Sequence, residues 1–251
     1  MRLFRNGIVL VLAAMISLGC AREGFKASLD RKSSSEPSST AADASNNADA
    51  LVFDMDVGEF DEDGVFLYYA LPRAVNPAGT EAAEQISEKI HTAVFGLRDE
   101  IAAEKSVYKL TVYDALTRND GTYYSTMYDI KYLQTKDAPK AQYCFGLAFD
   151  SATGELIGLD SIMDIDALVA LLLDEQSSKI LEKDEALAVK QREYLSQQGN
   201  KALKERLTYP NGVVSLERLL DASFYLDGAK LIAVFAAPQD IGGTVRVSVS
   251  L

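Results

Sequence analysis

The sequence predicts an α+β fold in which a largely antiparallel sheet packs against several helices. Three observations carry that expectation. Apolar and polar residues alternate with period two in several segments, one long stretch places apolar residues at helical spacing, and the order runs strands, helix, strands, helices, strands.

The elements follow from Leu51 onward. "ALVFDMDV" and "GVFLYYALP" read as two strands joined by an acidic turn, "GEFDEDG". Thr80 then caps an amphipathic helix whose buried stripe is Ile86, Ile90, Val94, Leu97 and Ile101. Three strands come next: "SVYKLTVYDAL", "GTYYSTMYDIKYLQ" and "AQYCFGLAFD". In the second, Tyr124, Thr126, Tyr128, Ile130 and Tyr132 share one face and Ser125, Asp129 and Lys131 the other, the pattern of a sheet solvated on one side. A turn at "DSATGEL" leads into residues 162–207, almost continuously helix-compatible and expected to form two or three helices broken near Ser177 and Gly199. The chain returns to strand with a hairpin across Asp227-Gly228, and ends on Val245, Val247, Val249 and Leu251 alternating with Thr244, Arg246, Ser248 and Ser250.

The N-terminus reads as an export signal. Arg2 and Arg5 precede an apolar run from Ile8 to Leu18, long enough for a signal's hydrophobic region and too short to span a bilayer. The run "ISLGC", residues 16–20, is similar to a relaxed bacterial lipobox, so residues 1–19 are expected to be removed and Cys20 lipidated. Residues 21–50 hold few large apolar side chains and read as a tether that cannot offset its ordering entropy; a flexible chain of that length spans about 30 Å. Residues 51–251 are then one α+β domain, at the cell envelope and on the outer membrane where the cell has one.

Charge narrows the partners. Loss of residues 1–19 removes two bases and no acid, leaving 23 Lys and Arg against 37 Asp and Glu, a net charge of −14. Such a surface repels nucleic acid and favours basic proteins or divalent cations. With Cys20 lipidated, Cys144 is the remaining thiol; it sits in an apolar strand-like run and is expected to be buried and inert.

Catalytic patterns are scarce. His91 is the single histidine, which excludes a two-histidine metal site within one chain and fits the edge of a helix. No nucleophile elbow, phosphate-binding glycine loop or H-E-x-x-H occurs. The acidic run of residues 54–63 begins like a calcium loop with Asp54 and Asp56. It then places Gly58, Glu59 and Val65 where a ligand, a glycine and a glutamate are required. No cofactor and no metal is expected. Paired carboxylates for hydrolysis of wall glycan remain a rival reading, as does a structural lipoprotein with no soluble ligand.

Two stretches carry a family resemblance. "LAFDSATGELIGLDSIM", residues 147–163, resembles the strand–turn–helix entry of the RsiV-type extracytoplasmic domain, through Asp150, the Thr153-Gly154 turn and Leu159-Asp160 opening a helix. "FYLDGAKLIAVFAAPQDIGGTVRVSVSL", residues 224–251, resembles that domain's ending. The resemblance implies a non-catalytic, ligand-binding α+β domain of the cell envelope, in a family that includes a lysozyme-binding anti-sigma factor, envelope lipoproteins and regions fused to deacetylases. Intramembrane signalling is not implied, because this chain shows no spanning helix. Pro238-Gln239-Asp240-Ile241 replaces the family's usual loop, and no catalytic residues carry over. The expected partner is lysozyme or another basic envelope protein.

Overall fold

Strands β1 (Phe53–Glu62) and β2 (Val65–Ala74) open the fold as an antiparallel pair in which Glu62 faces Val65. The structure, a computed structural model, describes residues 50–62, 65–75, 80–104, 109–133, 141–208 and 220–251. Strand β1 corrects the expectation of an acidic turn from Gly58 to Gly64, since Gly58 to Glu62 lie within the strand. Cross-strand pairing with β2 along its whole length outweighs the poor strand propensity of its acids.

Helix α1 (Glu81–Glu104) is capped as expected, the Ala83 N–H donating to Thr80 Oγ1 at 3.2 Å. Ile86, Ile90, Val94 and Leu97 are buried with Leu67 and Leu71 of β2, while the Ile101 side chain lies outside the described residues. The helix carries the chain to β3 (Lys109–Asn119), which pairs parallel to β2. Strands β4 (Tyr123–Leu133) and β5 (Ala141–Asp150) follow antiparallel, giving a first sheet of order β1-β2-β3-β4-β5.

After β5, Asp150 ends the strand by accepting the N–H groups of Ala152 and Thr153. These two backbone donors and the Thr153 hydroxyl hold its carboxyl below the usual range. Leu159 to Ser161 form only a 3₁₀ turn. Helix α2 (Ile165–Leu173) begins later, where Asp164 accepts the Ala167 N–H at 2.8 Å. The break near Ser177 holds a short strand, β6 (Ser178–Ile180), that periodicity did not show. Helix α3 (Glu185–Leu207) is interrupted at Gly199, whose φ of 71° and ψ of 166° only glycine adopts readily.

Strands β7 (Ala222–Asp227) and β8 (Lys230–Ala236) form the expected hairpin, with Gly228 and Ala229 as its turn. With β9 (Thr244–Ser250) they complete a second sheet of order β6-β9-β8-β7. Leu251 lies past the strand and is exposed. The α+β class and mainly antiparallel pairing hold, but the strands divide into two sheets.

The second sheet is covered on both sides. Leu231, Ala233 and Phe235 join the cluster containing Leu168, Leu172, Leu195 and Leu203 of α2 and α3. Ile232 and Val234 face the other way, toward Cys144 and Tyr225, with Met127 packed alongside. The layers therefore run α1, first sheet, second sheet, then α2 and α3.

This arrangement corrects the one-sided solvation expected for β4. Tyr124, Thr126, Tyr128 and Ile130 are buried on the α1 side as expected, but Ser125 on the opposite face is fully buried beneath β7. Hydroxyl groups join the edge strands β5 and β7 to the opposite sheet. The Cys144 N–H on β5 donates to Thr244 Oγ1 at 3.1 Å, and the Gly146 N–H donates to Ser223 Oγ at 3.0 Å. From the other side, the Leu226 N–H of β7 donates to Ser125 Oγ at 2.8 Å. Gly146 permits this approach, because a Cβ there would fall 2.5 Å from the Phe224 carbonyl oxygen.

Candidate binding surface on the first strand

Strand β1 stands at the outer edge of the first sheet. Its register with β2 sorts its side chains: Asp56, Gly58 and Phe60 pair with Leu71, Tyr69 and Leu67 and so face α1. Met55, Val57 and Glu59 turn to the opposite face. The strand reads "FDMDVGEFDE", five acids and no base. Met55 and Val57 are each 54% exposed, so two large apolar side chains stand open to solvent on this strand.

The face toward α1 is aromatic. Tyr69 meets Phe95 edge-on with centroids 5.3 Å apart, and Phe95 lies parallel to His91 at 6.2 Å. Phe60 continues the row edge-on to Phe95 at 6.0 Å, and the Arg98 guanidinium sits 4.9 Å above its ring. His91 Nε2 lies 3.9 Å from Asp56 Oδ2. The histidine thus occupies the helix flank at the edge of the core, as its sequence position suggested. Burial first, then the Asp56 carboxylate, push the Tyr69 phenol up, and Arg73 opposes them. The result is a strand fastened from one side by aromatic packing, with acids and two apolar side chains left outward.

Farther into the sheet, Asp114 of β3 accepts a hydrogen bond from the Thr126 hydroxyl next to Tyr128. Burial raises the Asp114 carboxyl to about 6 despite the hydrogen bonds that oppose it. No sequence pattern singled out Asp114; a lone acid in an otherwise mixed strand carries no signal. Burial likewise pushes the Cys144 thiol up to about 12, opposed by Arg246, and the cysteine is buried as the sequence led one to expect.

Among the described residues, no group of three or more His, Cys, Asp or Glu is arranged to hold a metal ion. Asp54 and Asp56 belong to a paired strand, which lacks the turn a calcium loop requires. No described helix is long and apolar enough to cross a membrane. Cys20 and residues 1–49 lie outside the described residues.

No protein-family model matches the chain, and no curated protein matches it. Solved structures are similar to it, among them two described as DUF3298 family proteins. One, from Pseudomonas aeruginosa PAO1, shows 9% identity and a TM-score of 0.42 over 80% of this chain and 90% of its own. The other, from Bacteroides fragilis NCTC 9343, shows 14% identity and a TM-score of 0.40 over 82% of this chain and 91% of its own. DUF3298 is the domain family to which RsiV-type domains belong. A likeness at this level assigns no activity and no residue role.

Proposed function

We propose that this chain is a bacterial envelope lipoprotein, anchored through Cys20, whose domain binds a basic envelope protein without catalysis. Lysozyme is the most specific partner consistent with the sequence resemblance. The observation that carries the reading is β1, an edge strand with five acids, no base and two half-exposed apolar side chains. Its charge matches that of the chain as a whole, which carries −14 once residues 1–19 are removed. Complementary charge speeds encounter more than it deepens affinity, while apolar contact lends persistence in salt.

Calorimetric titration of the full-length chain with lysozyme, at low and at physiological salt, tests the reading. Micromolar or tighter binding at physiological salt supports it. Heat only at low salt reduces the interaction to nonspecific charge attraction, and no heat at either salt removes lysozyme as the partner. The anchor has its own test: mass spectrometry of membrane-extracted protein should find lipid on Cys20, and an unmodified N-terminus downstream of it would overturn that part.

A further inference from the structure

The four sheet edges of this fold are not treated alike. At β5, the outward N–H groups of Cys144 and Gly146 are taken by Thr244 and Ser223. At β7, the Leu226 N–H is taken by Ser125. The third edge, β6, is only three residues long. Strand β1 is ten residues long, and among the described residues no strand pairs with its outer side. In an antiparallel pair, alternate residues turn both N–H and C=O away from the partner, so β1 presents a row of backbone donors and acceptors. Long open edges of this kind template the addition of another strand.

Charge decides which strand fits. A second copy of β1 would bring five acids against five acids, and like charges opposed across a strand pair destabilise it. The acids therefore disfavour self-pairing and favour a strand carrying Lys or Arg. Met55 and Val57 add an apolar contact for alternate side chains of the incoming strand.

We propose that β1 is a strand-addition site that pairs, along its open edge, with an extended segment alternating basic and apolar residues. This rests on the reading of the chain as a binder of a basic protein, and it specifies how the partner is held.

The probe is a peptide alternating lysine and valine, matched to the 10 residues of β1, and the same peptide N-methylated at every second amide. Both carry the same charge, and only the first can complete the backbone ladder. The full-length chain should bind the unmethylated peptide, with slowed amide hydrogen exchange along β1, and bind the methylated one at least about tenfold more weakly, a loss of about 1.4 kcal/mol. Val57→Lys and Glu59→Lys, both at exposed positions, should each weaken the unmethylated peptide by about tenfold with the melting temperature unchanged. Equal affinity for the two peptides would overturn the proposal, because charge alone would then explain binding. So would failure to bind either, or a concentration-dependent dimer whose contacts map to β1. Lysozyme binding unaffected by both variants would overturn strand addition while leaving the proposed function intact.

Discussion

The phenol ring of Tyr69 lies across the bare backbone of Gly58, its register partner on the neighbouring strand. A Cβ on Gly58 would fall 2.5 Å from Tyr69 Cζ. The missing side chain on β1 is thus replaced by the aromatic ring of β2, which in turn braces Phe95 and His91 of α1. Glycine weakens a strand by itself, so its presence here is compensated by packing that only glycine permits.

That relationship fixes the sign of a substitution. In an ordinary strand, Gly→Ala stabilises by about 0.5–1 kcal/mol, but Gly58→Ala should destabilise by about 1–3 kcal/mol by displacing Tyr69. Combining it with Tyr69→Leu should recover part of the loss, giving a coupling of about 0.5–3 kcal/mol in a double-mutant cycle. Thermal melts of the four proteins would measure it; additive losses would contradict the ring-over-glycine account.

Three hydroxyls bond across the packed joint between the sheets, and the loss of Ser223 and of Ser125 should be felt unequally. Ser223→Ala leaves the buried Gly146 N–H without an acceptor and should cost about 1–3 kcal/mol. Ser125→Ala should cost more, since Ser125 Oγ both accepts from Leu226 and donates to the Leu147 carbonyl at 3.0 Å. Exposed Ser250→Ala should stay within about 0.5 kcal/mol. Urea unfolding midpoints of the three variants would establish the order.

These hydroxyls also explain where the sequence misled. Along β4, Ser125 alternates with large apolar residues just as a solvent-facing serine would, and nothing local distinguishes a hydroxyl that meets water from one that meets the Leu226 N–H. One sheet was therefore expected where there are two. Strand β6 was hidden because three residues show no period, and its pairing with β9 depends on chain far away in sequence. Acids concealed the second half of β1, whose strand state comes from pairing with β2. By contrast, the α1 stripe, the Gly228 hairpin and the break at Gly199 are local in origin, and all three were legible. The candidate surface was legible as a run of acids, but its position on an open edge was not.

Cys144 supplies a test of the layer order. Its thiol lies between β5 and the second sheet, with burial holding it protonated up to about 12. A maleimide at pH 8 should leave Cys144 unlabelled in the native chain and label it fully in denaturant, with the site assigned by mass mapping. Rapid native labelling at Cys144 would mean that the second sheet does not cover β5.

Asp114 gives the fold a defined pH dependence. Its carboxyl is raised to about 6 in the folded chain from an unfolded value near 4, so the folded state holds the proton more tightly. The stabilisation from that proton is fully present below about pH 4 and is lost as pH rises through about 6. At neutral pH the carboxylate is partly buried and ionised, with the Thr126 hydroxyl only partly compensating. Asp114→Asn keeps an acceptor for Thr126 and removes the charge, so it should stabilise the chain at pH 7 by roughly 2 kcal/mol. At pH 4 the two proteins should be nearly equal. Urea midpoints measured from pH 4 to 7 would test both ends of this comparison. Parallel curves for the two proteins would mean that Asp114 is solvated and that its carboxylate does not set the slope.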